Sequence, residues 1–238
     1  MAFSGENPTA LFEKAWNLYE AIAIGNHMSH REIYALVAKR LSQLYVKGGY
    51  RMLDLGCGDT RFLEPCFSFS RPALYQGVDL SEAALGLARK RLDYLGKTSW
   101  AKQDLLEYMK HDTGKYDVIF SGYAVHHLST ASKTELFASA SSHLEPGGCF
   151  MLVDVIREPE QTREDYIIAY LSQIRNNWPG LTAEMVDEAC AHVAAFDFPE
   201  GLETLDLLAQ RAGFQKGIVH AKFGPHAFIE FQFSSGSL

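Results

Sequence analysis

The stretch RMLDLGCGDTRF, Arg51–Phe62, determines the class of fold that the sequence predicts. It begins with a short apolar run that contains Asp54, and two glycines separated by one residue follow at once. A strand that ends in such a loop is typical of parallel sheets, whose ligands bind at the carboxyl ends of the strands. Gly56 can adopt backbone angles that a β-carbon forbids, and Gly58 leaves room for a ligand beside the main chain. The pattern predicts a ligand-binding loop, although a tight turn without a ligand also fits a lone Gly-x-Gly.

Short apolar strands alternate with amphipathic helices around this loop. The predicted strands cover residues 51–55, 73–78, 100–103, 116–120 and 149–155. The predicted helices run from the loop to about Phe67, from 82 to 95 after a Ser81 cap, from a cap at Ser132–Glu135 to Leu144, and from 201 to 212. This alternation predicts an α/β fold with a doubly wound, mostly parallel sheet. The segments 216–223 and 226–233 predict a closing β-hairpin, which makes one strand at the sheet edge antiparallel.

Helical segments precede and interrupt this alternating series. The apolar spacing over residues 1–48 predicts an N-terminal helical cap. One helix covers 8–24, and a second runs from a capping box at Ser29–Glu32 to about Tyr45. Residues 49–233 predict the sheet domain, in which an insertion at about 158–199 forms two further helices, near 162–177 and 182–195. We expect the tail at 234–238 to be disordered.

Composition and charge exclude several classes of protein. The 238 residues are 47% hydrophobic, which is enough for a buried core, and their net charge of −7 disfavours nucleic acid as a partner. No apolar run reaches the roughly 18 residues that a membrane span needs. The N-terminus lacks the apolar region of a signal peptide, and none of the four cysteines forms a C-x-x-C pair. We therefore expect a cytoplasmic protein, and both a monomer and a homodimer stay open.

Aspartates lie at the ends of the first predicted strands. Asp79 ends the second strand about 20 residues after the loop, where a carboxylate can accept hydrogen bonds from two ribose hydroxyls. Asp104 follows the third strand and can meet the exocyclic amine of a purine. NAD is the alternative ligand, but Arg61 occupies the place of the third glycine in the Gly-x-Gly-x-x-Gly fingerprint. Asp54 would also lie badly beside a pyrophosphate and suits a ligand whose near end is cationic.

Five segments follow one another in a series that is specific as a whole. They are LDLGCGDTRF, GVDLS, KQDLLEY, YDVIFSGYAVHHLS and LEPGGCFMLVD, and they extend from about Arg51 to Asp154. The series resembles the motifs of class I S-adenosylmethionine-dependent methyltransferases, and the terminal hairpin fits the antiparallel seventh strand of that family. The resemblance implies a Rossmann-like, seven-stranded sheet with S-adenosylmethionine (SAM) as the cofactor. Thr60 stands where many members have a third glycine, but Ser or Thr is tolerated there.

By this resemblance, successive loops hold the cofactor. Gly56 and Gly58 would cradle its methionine part, and Asp54 would help to hold the amino group. Asp79 would take the ribose diol, and Asp104 would face the adenine. The remaining implied contacts are Leu80 and Leu105 against the adenine ring, Ser121 and Gly122 nearest the sulfonium, and Tyr19 from the N-terminal cap. Burial in an amphipathic helix explains Tyr19 equally well.

Methyl transfer from a sulfonium needs alignment, and it needs a base only when the acceptor arrives protonated. His126 and His127 follow the fourth strand and Asp154 ends the fifth, so all three are candidates for proton transfer or substrate binding at one sheet edge. Each also has a structural interpretation, as a loop hydrogen bond or a turn cap. His127, Asp154 and His226 could converge on a metal, but no ligand pair has helical i, i+4 spacing, so we expect none.

The helical insertion supplies the expected substrate lid. The groups most able to touch an acceptor are Tyr166, Tyr170, Arg175 and Trp178, together with His226 of the terminal hairpin. Arg175 would favour a carboxylate or a phosphate. A structural role is the simpler interpretation of each lid residue.

The sequence therefore predicts an enzyme that methylates an oxygen or nitrogen of a small molecule, and less readily a carbon or sulfur. An insertion of this size builds an enclosed pocket, which suits a small acceptor. Two alternatives stay open. The layout also resembles carboxy-S-adenosylmethionine synthase, in which Arg157 would pair with an added carboxylate. The chain could instead bind the cofactor as a non-catalytic partner protein.

Overall fold

A seven-stranded β-sheet forms the centre of the protein. The computed structural model describes residues 18–233. The strands are β1 Arg51–Leu55, β2 Leu74–Asp79, β3 Thr98–Lys102, β4 Tyr116–Gly122, β5 Leu144–Val155, β6 Ile218–Phe223 and β7 His226–Gln232. The predicted tail at 234–238 and the first part of the predicted helix 8–24 lie outside the described residues.

The strand order, β3-β2-β1-β4-β5-β7-β6, is that of a doubly wound sheet. β1 pairs in parallel with both β2 and β4, so the chain runs outward from β1 on one side and resumes on the other. Such a switch point opens a crevice at the carboxyl ends of the strands, where ligands of these sheets bind. The predicted fold class, a mostly parallel seven-stranded Rossmann-like sheet, is confirmed.

The antiparallel strand lies inside the sheet and not at its edge. β7 pairs antiparallel with β5, and β6 pairs antiparallel with β7 on the outer side. All residues of β7 except the last are buried, whereas those of β6 are exposed or half-buried. The more apolar arm of the predicted hairpin therefore takes the inner position, because a strand there is covered on both faces.

Helices cover both faces of the sheet. They are α1, described over residues 18–25, and α2 His30–Leu44, α3 Glu82–Arg91, α4 Leu105–His111, α5 Thr130–His143, α6 Arg163–Asn177, α7 Ala183–Phe196 and α8 Leu202–Arg211. α2 packs on one face through a core that includes Ile33 and Phe67. α5 and α8 pack on the other face through a core that includes Phe137 and Leu208. The central strands are thus buried on both faces, as their continuous apolar runs require.

Helix α2 begins where the sequence predicts, but a different residue satisfies its first turn. Ser29 has a left-handed backbone with φ of 54°, and its side chain caps nothing. Asn26 replaces it: Oδ1 accepts the Arg31 backbone N–H at 3.0 Å, and Nδ2 donates to Glu32 Oε2 at 2.8 Å. The predicted capping box is wrong because a capping side chain needs an extended backbone at Ser29 to reach the first turn.

The other helix caps follow the expected chemistry with one shift. Ser81 caps α3 as predicted, with its Oγ accepting the Ala84 N–H at 3.2 Å. The cap of α5 is Ser129, whose Oγ accepts the Ser132 N–H at 3.1 Å. The predicted cap at Ser132 is therefore three residues late, because an equally good capping side chain precedes it.

The glycine loop leads into a 3-10 turn, Glu64–Ser68, instead of the predicted α-helix. Pro65 explains the difference, since it has no N–H and cannot form the i→i−4 hydrogen bond of a helix interior. The Cys66 N–H bonds the Leu63 carbonyl oxygen at 2.9 Å, an i→i−3 bond of the tighter turn.

The helical insertion forms α6 and α7 near the predicted bounds. Thr162 and Thr182 cap the two helices. Their inner faces enclose a third apolar core that includes Tyr166, Tyr170 and Trp178 and that α1 helps to complete. The insertion therefore packs against the N-terminal helix, while the division into cap, sheet domain and lid stays a prediction. Between residues 18 and 233, no helix combines the length and apolar character needed to cross a membrane.

Candidate active site

A cavity of about 590 Å³ opens at the carboxyl ends of β1, β2 and β4. All the residues predicted to bind the cofactor line it, except Ser121. They are Tyr19, Asp54, Gly56, Gly58, Asp79, Leu80, Asp104 and Leu105. The volume falls within the range of cofactor and small-molecule sites, roughly 300–1,000 Å³.

Asp54 provides a buried carboxylate with one oxygen that has no partner. The residue is 1% exposed, and its Oδ2 accepts the Tyr75 hydroxyl at 2.5 Å. Its Oδ1 is buried without a hydrogen bond. Burial raises the pKa of Asp54 to about 7, although the bond from Tyr75 opposes the rise. A carboxylate oxygen left in this state is costly unless a ligand completes it, and a cationic group does so best.

The backbone of the glycine loop leaves space that a side chain would fill. Gly56 has a φ of +73°, and a β-carbon there would approach the Ala124 β-carbon to 2.5 Å. Gly58 has a φ of +53° and faces open space, and its N–H donates to Asp79 Oδ2 at 2.8 Å. Left-handed backbone favours glycine at both positions. The loop can therefore hold a ligand directly against the main chain.

Backbone N–H groups orient the two other predicted carboxylates. Asp79 Oδ1 accepts the Ser81 N–H at 2.8 Å, in addition to the bond from the glycine loop. Asp104 caps α4, and its Oδ1 accepts the N–H groups of Leu106 at 2.9 Å and Glu107 at 3.1 Å. Each carboxylate is thus fixed beside the cavity and keeps acceptor capacity for a ligand. The sequence pattern does not mark α4, which is only two turns long.

The charges around the cavity suit a cationic ligand. Asp59 joins the three carboxylates named above, and its Oδ2 accepts Arg61 Nε at 3.2 Å and Arg91 Nη2 at 3.0 Å. Arg61 also pairs with Glu20 of α1 at 3.1 Å, which ties this helix to the glycine loop. The 3-10 turn after the loop offers no long helix whose N-terminus could bind a pyrophosphate. Both the acidic lining and this turn disfavour a dinucleotide.

Of the three predicted catalytic residues, His127 alone lines the cavity. Its side chain is 37% exposed, and its Nδ1 lies 3.2 Å from the Phe196 carbonyl oxygen. Burial, together with the charge of His126, lowers the pKa of His127 to about 4, so the ring is neutral at neutral pH. His126 is buried, and its Nδ1 pairs with Oδ1 of the buried Asp154. Burial would lower the pKa of His126, but the carboxylates of Asp154 and Asp197 outweigh it and raise that pKa.

The predicted lid residues do not line the cavity. Tyr166, Tyr170 and Trp178 are buried in the core between α6, α7 and α1, because their rings fill the apolar faces of these helices. Arg175 is exposed to solvent. His226 is buried, and its Nε2 lies 2.8 Å from the Tyr170 hydroxyl. Four of these five residues are thus buried away from the cavity and Arg175 faces solvent, and their contact with an acceptor stays a prediction.

Two further residues serve the fold and not the cavity. Ser121 is fully buried and donates its hydroxyl to the Leu55 carbonyl oxygen at 2.7 Å, so Gly122 is the neighbour that lines the cavity. Arg157 donates to the Pro199 carbonyl oxygen at 2.8 Å and pairs with Glu200 at 3.3 Å. The guanidinium of Arg157 is thus engaged with Pro199 and Glu200, and Arg157 does not line the cavity.

Aromatic rings form the part of the cavity wall beside α2. His30 stacks on Phe62 with ring centroids 4.3 Å apart, and the Tyr123 ring lies 4.8 Å from that of His30. Tyr34 lines the cavity next to them. His30 Nδ1 is buried without a hydrogen bond, and burial lowers the pKa of His30 to about 3. The sequence pattern marks none of these rings as a wall, because each also suits a core position.

Among the described residues, His126, His127 and Asp197 form the one group of three metal-ligand side chains, with ligand atoms within 4.8 Å of one another. This set differs from the three residues that the sequence suggested. Asp154 pairs with His126, and His226 contacts Tyr170, so neither joins His127. Asp197 follows α7, and no local motif marks it.

Fold and cavity together define a Rossmann-like domain built for an adenosyl ligand with a cationic end. A family model described as a methyltransferase domain matches residues 52–148. Malonyl-[acyl-carrier protein] O-methyltransferase from Legionella pneumophila is 29% identical over 145 residues, which cover 59% of this chain and 46% of that protein. Carboxy-S-adenosyl-L-methionine synthase from Campylobacter fetus is 26% identical over 141 residues, 58% of each protein. The chain spans about half the length of the curated relatives that it matches.

Solved structures extend the likeness of fold to nearly the whole chain. Magnesium protoporphyrin IX methyltransferase from Synechocystis, determined with S-adenosylhomocysteine (SAH) bound, matches with a TM-score of 0.61 and 19% identity over 96% of both chains. Residues 52–148 therefore belong to a methyltransferase-domain family, and solved structures that share the fold were determined with SAH or SAM bound. The resemblance carried by the five sequence motifs is confirmed.

Proposed function

We propose that the protein transfers the methyl group of SAM to an oxygen or nitrogen atom of a small molecule by in-line displacement. The unpartnered Oδ1 of Asp54 carries this proposal, since Asp54 lines the same cavity as Asp79 and the glycine loop. A buried anionic oxygen fits the ammonium group of the methionine part, and Asp79 fits the ribose hydroxyls. SAM supplies a methyl group that its sulfonium already activates.

The rest of the cavity supports a small acceptor. Its remaining wall consists of rings, with His30 stacked on Phe62 and Tyr123 beside them. The ion pair between Arg61 and Glu20 ties α1 to the glycine loop, where Tyr19 of the same helix lines the cavity. A cavity with these walls suits a small molecule better than a polymer. The absence of a nucleic-acid partner, the cytoplasmic location and the choice between monomer and homodimer stay predictions.

We assign the contact with the acceptor to His127. It is the predicted catalytic side chain that lines the cavity, whereas His126 and Asp154 are buried and paired with each other. In-line displacement depends on alignment, so a side chain that positions the acceptor contributes to the rate even if it moves no proton. Proton acceptance by His127, and any role of His126 or Asp154 beyond orientation, stay predictions.

The similarity to carboxy-S-adenosyl-L-methionine synthase favours one second candidate, a reaction on the cofactor itself. Such a reaction needs a cation beside the added carboxylate. Arg157, which the sequence suggests as that cation, donates to the Pro199 carbonyl oxygen and pairs with Glu200 away from the cavity. We therefore rank methyl transfer first. We rank a non-catalytic partner protein last, since such a protein would not need the ring-lined part of the cavity that suits an acceptor.

The proposal is tested by incubating the protein with SAM labelled in its methyl group and a metabolite extract. The products are then separated into low-mass, protein and nucleic-acid fractions. We expect the label in a low-mass product, and a His127→Ala variant that binds SAH normally should form it more slowly. Label confined to protein or nucleic acid, or no transfer to any fraction from several extracts, would contradict the proposal.

A further inference from the structure

The histidines that follow β4 and the residue that follows α7 form a second cluster beside the cavity. His126 Nε2 lies 3.7 Å and His127 Nδ1 lies 3.6 Å from Asp197 Oδ1. Asp197 is 2% exposed, and its Oδ1 has no hydrogen-bond partner in the described part of the chain. A buried carboxylate oxygen that faces two imidazole nitrogens without bonding either is an arrangement that a cation completes.

Outer hydrogen bonds hold two of these side chains in the orientation that metal ligation requires. Asp154 pairs with His126 Nδ1, so that Nε2 of the same ring faces Asp197. Tyr166 donates its hydroxyl to Asp197 Oδ2 at 3.4 Å, which leaves Oδ1 for an ion. Histidines that ligate metals almost always give their other nitrogen to a carboxylate, a carbonyl or water, and ligating carboxylates are hydrogen-bonded in turn.

The backbone fixes the two halves of the cluster to each other. The Phe198 N–H donates to the His126 carbonyl oxygen at 2.7 Å. The buried Lys133 donates to the Leu128 carbonyl oxygen at 2.6 Å and also to the carbonyl oxygen of Phe198. Asp197 is therefore held against the histidine turn by its own neighbours, which gives the rigid support that a ligand-binding site needs.

We propose that His126, His127 and Asp197 bind one first-row divalent transition-metal ion, with Zn²⁺ as the best fit. Ligand atoms around tetrahedral zinc, with bonds of about 2.0–2.2 Å, lie about 3.4 Å apart. The observed separations of 3.6 and 3.7 Å from Asp197 Oδ1 are near that value, and His127 Nδ1 would exchange its 3.2 Å contact with the Phe196 carbonyl oxygen for the ion.

The donor set also selects the kind of ion. Two imidazole nitrogens and one carboxylate oxygen suit Zn²⁺ and its neighbours, and the general affinity order places Zn²⁺ above Mn²⁺ and Fe²⁺. Mg²⁺ and Ca²⁺ prefer oxygen ligands alone. Three protein ligands leave at least one position open for another group. Because His127 lines the cavity, the ion would lie at its wall.

The ion gives this wall a second way to activate an acceptor, and this part of the inference rests on the proposed function. A hydroxyl that coordinates a divalent ion gives up its proton more easily than a free one. In the loaded protein His127 would be a ligand, so the proton of a coordinated hydroxyl would pass to solvent water. The ion would also join the end of α7 to the sheet edge, which gives the helical insertion a role that its buried tyrosines do not explain.

Calorimetric titration of Zn²⁺ into the whole, chelator-treated chain tests the site without SAM or an acceptor. A parallel titration with Co²⁺ reports nitrogen ligation through its visible absorption. We expect one ion per chain for the wild type and binding at least about tenfold weaker for Asp197→Asn and His127→Ala, in line with the cost of disturbing metal sites. His111→Ala removes an exposed histidine of α4 and is the matched control, with wild-type Zn²⁺ binding.

One further measurement, SAH binding, keeps the result interpretable. Asp197→Asn should bind SAH like the wild type, since Asp197 does not line the cofactor cavity, and this shows that the variant is folded. If it is not folded, His127→Ala decides. The absence of saturable one-to-one Zn²⁺ binding by the wild type, or unchanged Zn²⁺ affinity in the folded variants, overturns the proposal. Because no methyl transfer enters the titration, this failure is separate from a failure of the proposed function.

Discussion

Replacing Asp54 by asparagine separates the demands of the cofactor from those of the fold. Asparagine keeps the size of the side chain and an oxygen that can accept the Tyr75 hydroxyl, now bonded at 2.5 Å. It removes the negative charge of Asp54, a residue that lines the cavity and whose Oδ1 has no hydrogen-bond partner. Losing one partner of a buried charge pair costs about 2–5 kcal/mol, so we expect the affinity for SAH to fall by about thirtyfold or more.

The same substitution should stabilise the protein in the absence of ligand. The pKa of Asp54 is raised from 3.8 to about 7, so the folded state holds this proton more tightly than the unfolded chain. The stability that this proton contributes is present below pH 3.8 and is lost as the pH rises through about 7. The difference corresponds to at most about 4 kcal/mol. Thermal unfolding should therefore show Asp54→Asn to be more stable than the wild type at about pH 8, with the gap closing towards pH 4.

The affinity for SAH should also depend on pH through the ionisation of Asp54. Only ionised Asp54 can pair with the ammonium group of SAH, and the ionised fraction rises about tenfold between about pH 6 and pH 8 for a pKa of about 7. Calorimetry should show the wild-type affinity for SAH rising by about the same factor, while Asp54→Asn shows no such rise.

A surface substitution provides the control for this experiment. Asp93→Asn makes the same change of charge at an exposed position and should alter neither SAH binding nor stability. If Asp54→Asn bound SAH as tightly as Asp93→Asn, the carboxylate would not hold the amino group, and the assignment of the cavity would be refuted.

Other substitutions test the loop and the core in matched pairs. Gly58→Ala and Gly86→Ala both add a methyl group to open space, but Gly58 has a φ of +53° and Gly86 lies within α3. Urea unfolding should show a loss of about 1–2 kcal/mol for the first and a gain of about 0.5–1 kcal/mol for the second. Arg40→Met removes the bonds of 2.5 and 2.7 Å to the buried Glu230 and should cost about 1.5–3 kcal/mol, because His220 and Gln232 keep their bonds to that carboxylate. Arg89→Met breaks an exposed pair and should cost less than about 1 kcal/mol. Equal effects within either pair would contradict the account.

The cofactor half of the site could be predicted because it depends on strand ends. β1 occupies the predicted residues, Arg51–Leu55, and Asp79 closes β2. Parallel strands end at the same edge of a sheet, so polar side chains at those ends converge without any further information. For this reason the sequence alone predicts that Asp54, Asp79 and Asp104 surround one ligand.

The acceptor half could not be predicted in the same way. His126 and His127 are adjacent, and only the 3-10 turn Val125–His127 sends one ring to Asp154 and the other to the cavity. The apolar face of an amphipathic helix has the same sequence pattern whether it packs on a substrate or on another helix. The pattern around Tyr166 and Tyr170 therefore fits both roles. Asp197 joins the histidines only through tertiary packing, for which local sequence carries no signal.

The central claim is that the protein uses SAM as a methyl donor, and mass spectrometry of the recovered cofactor tests it most directly. The protein is incubated with SAM and an extract that contains its acceptor, and the adenosyl compounds are then recovered and weighed. We predict conversion of SAM to SAH, dependent on the protein and reduced in Asp54→Asn. Recovery of a heavier, carboxylated cofactor, or of SAM that no extract can convert, would contradict it.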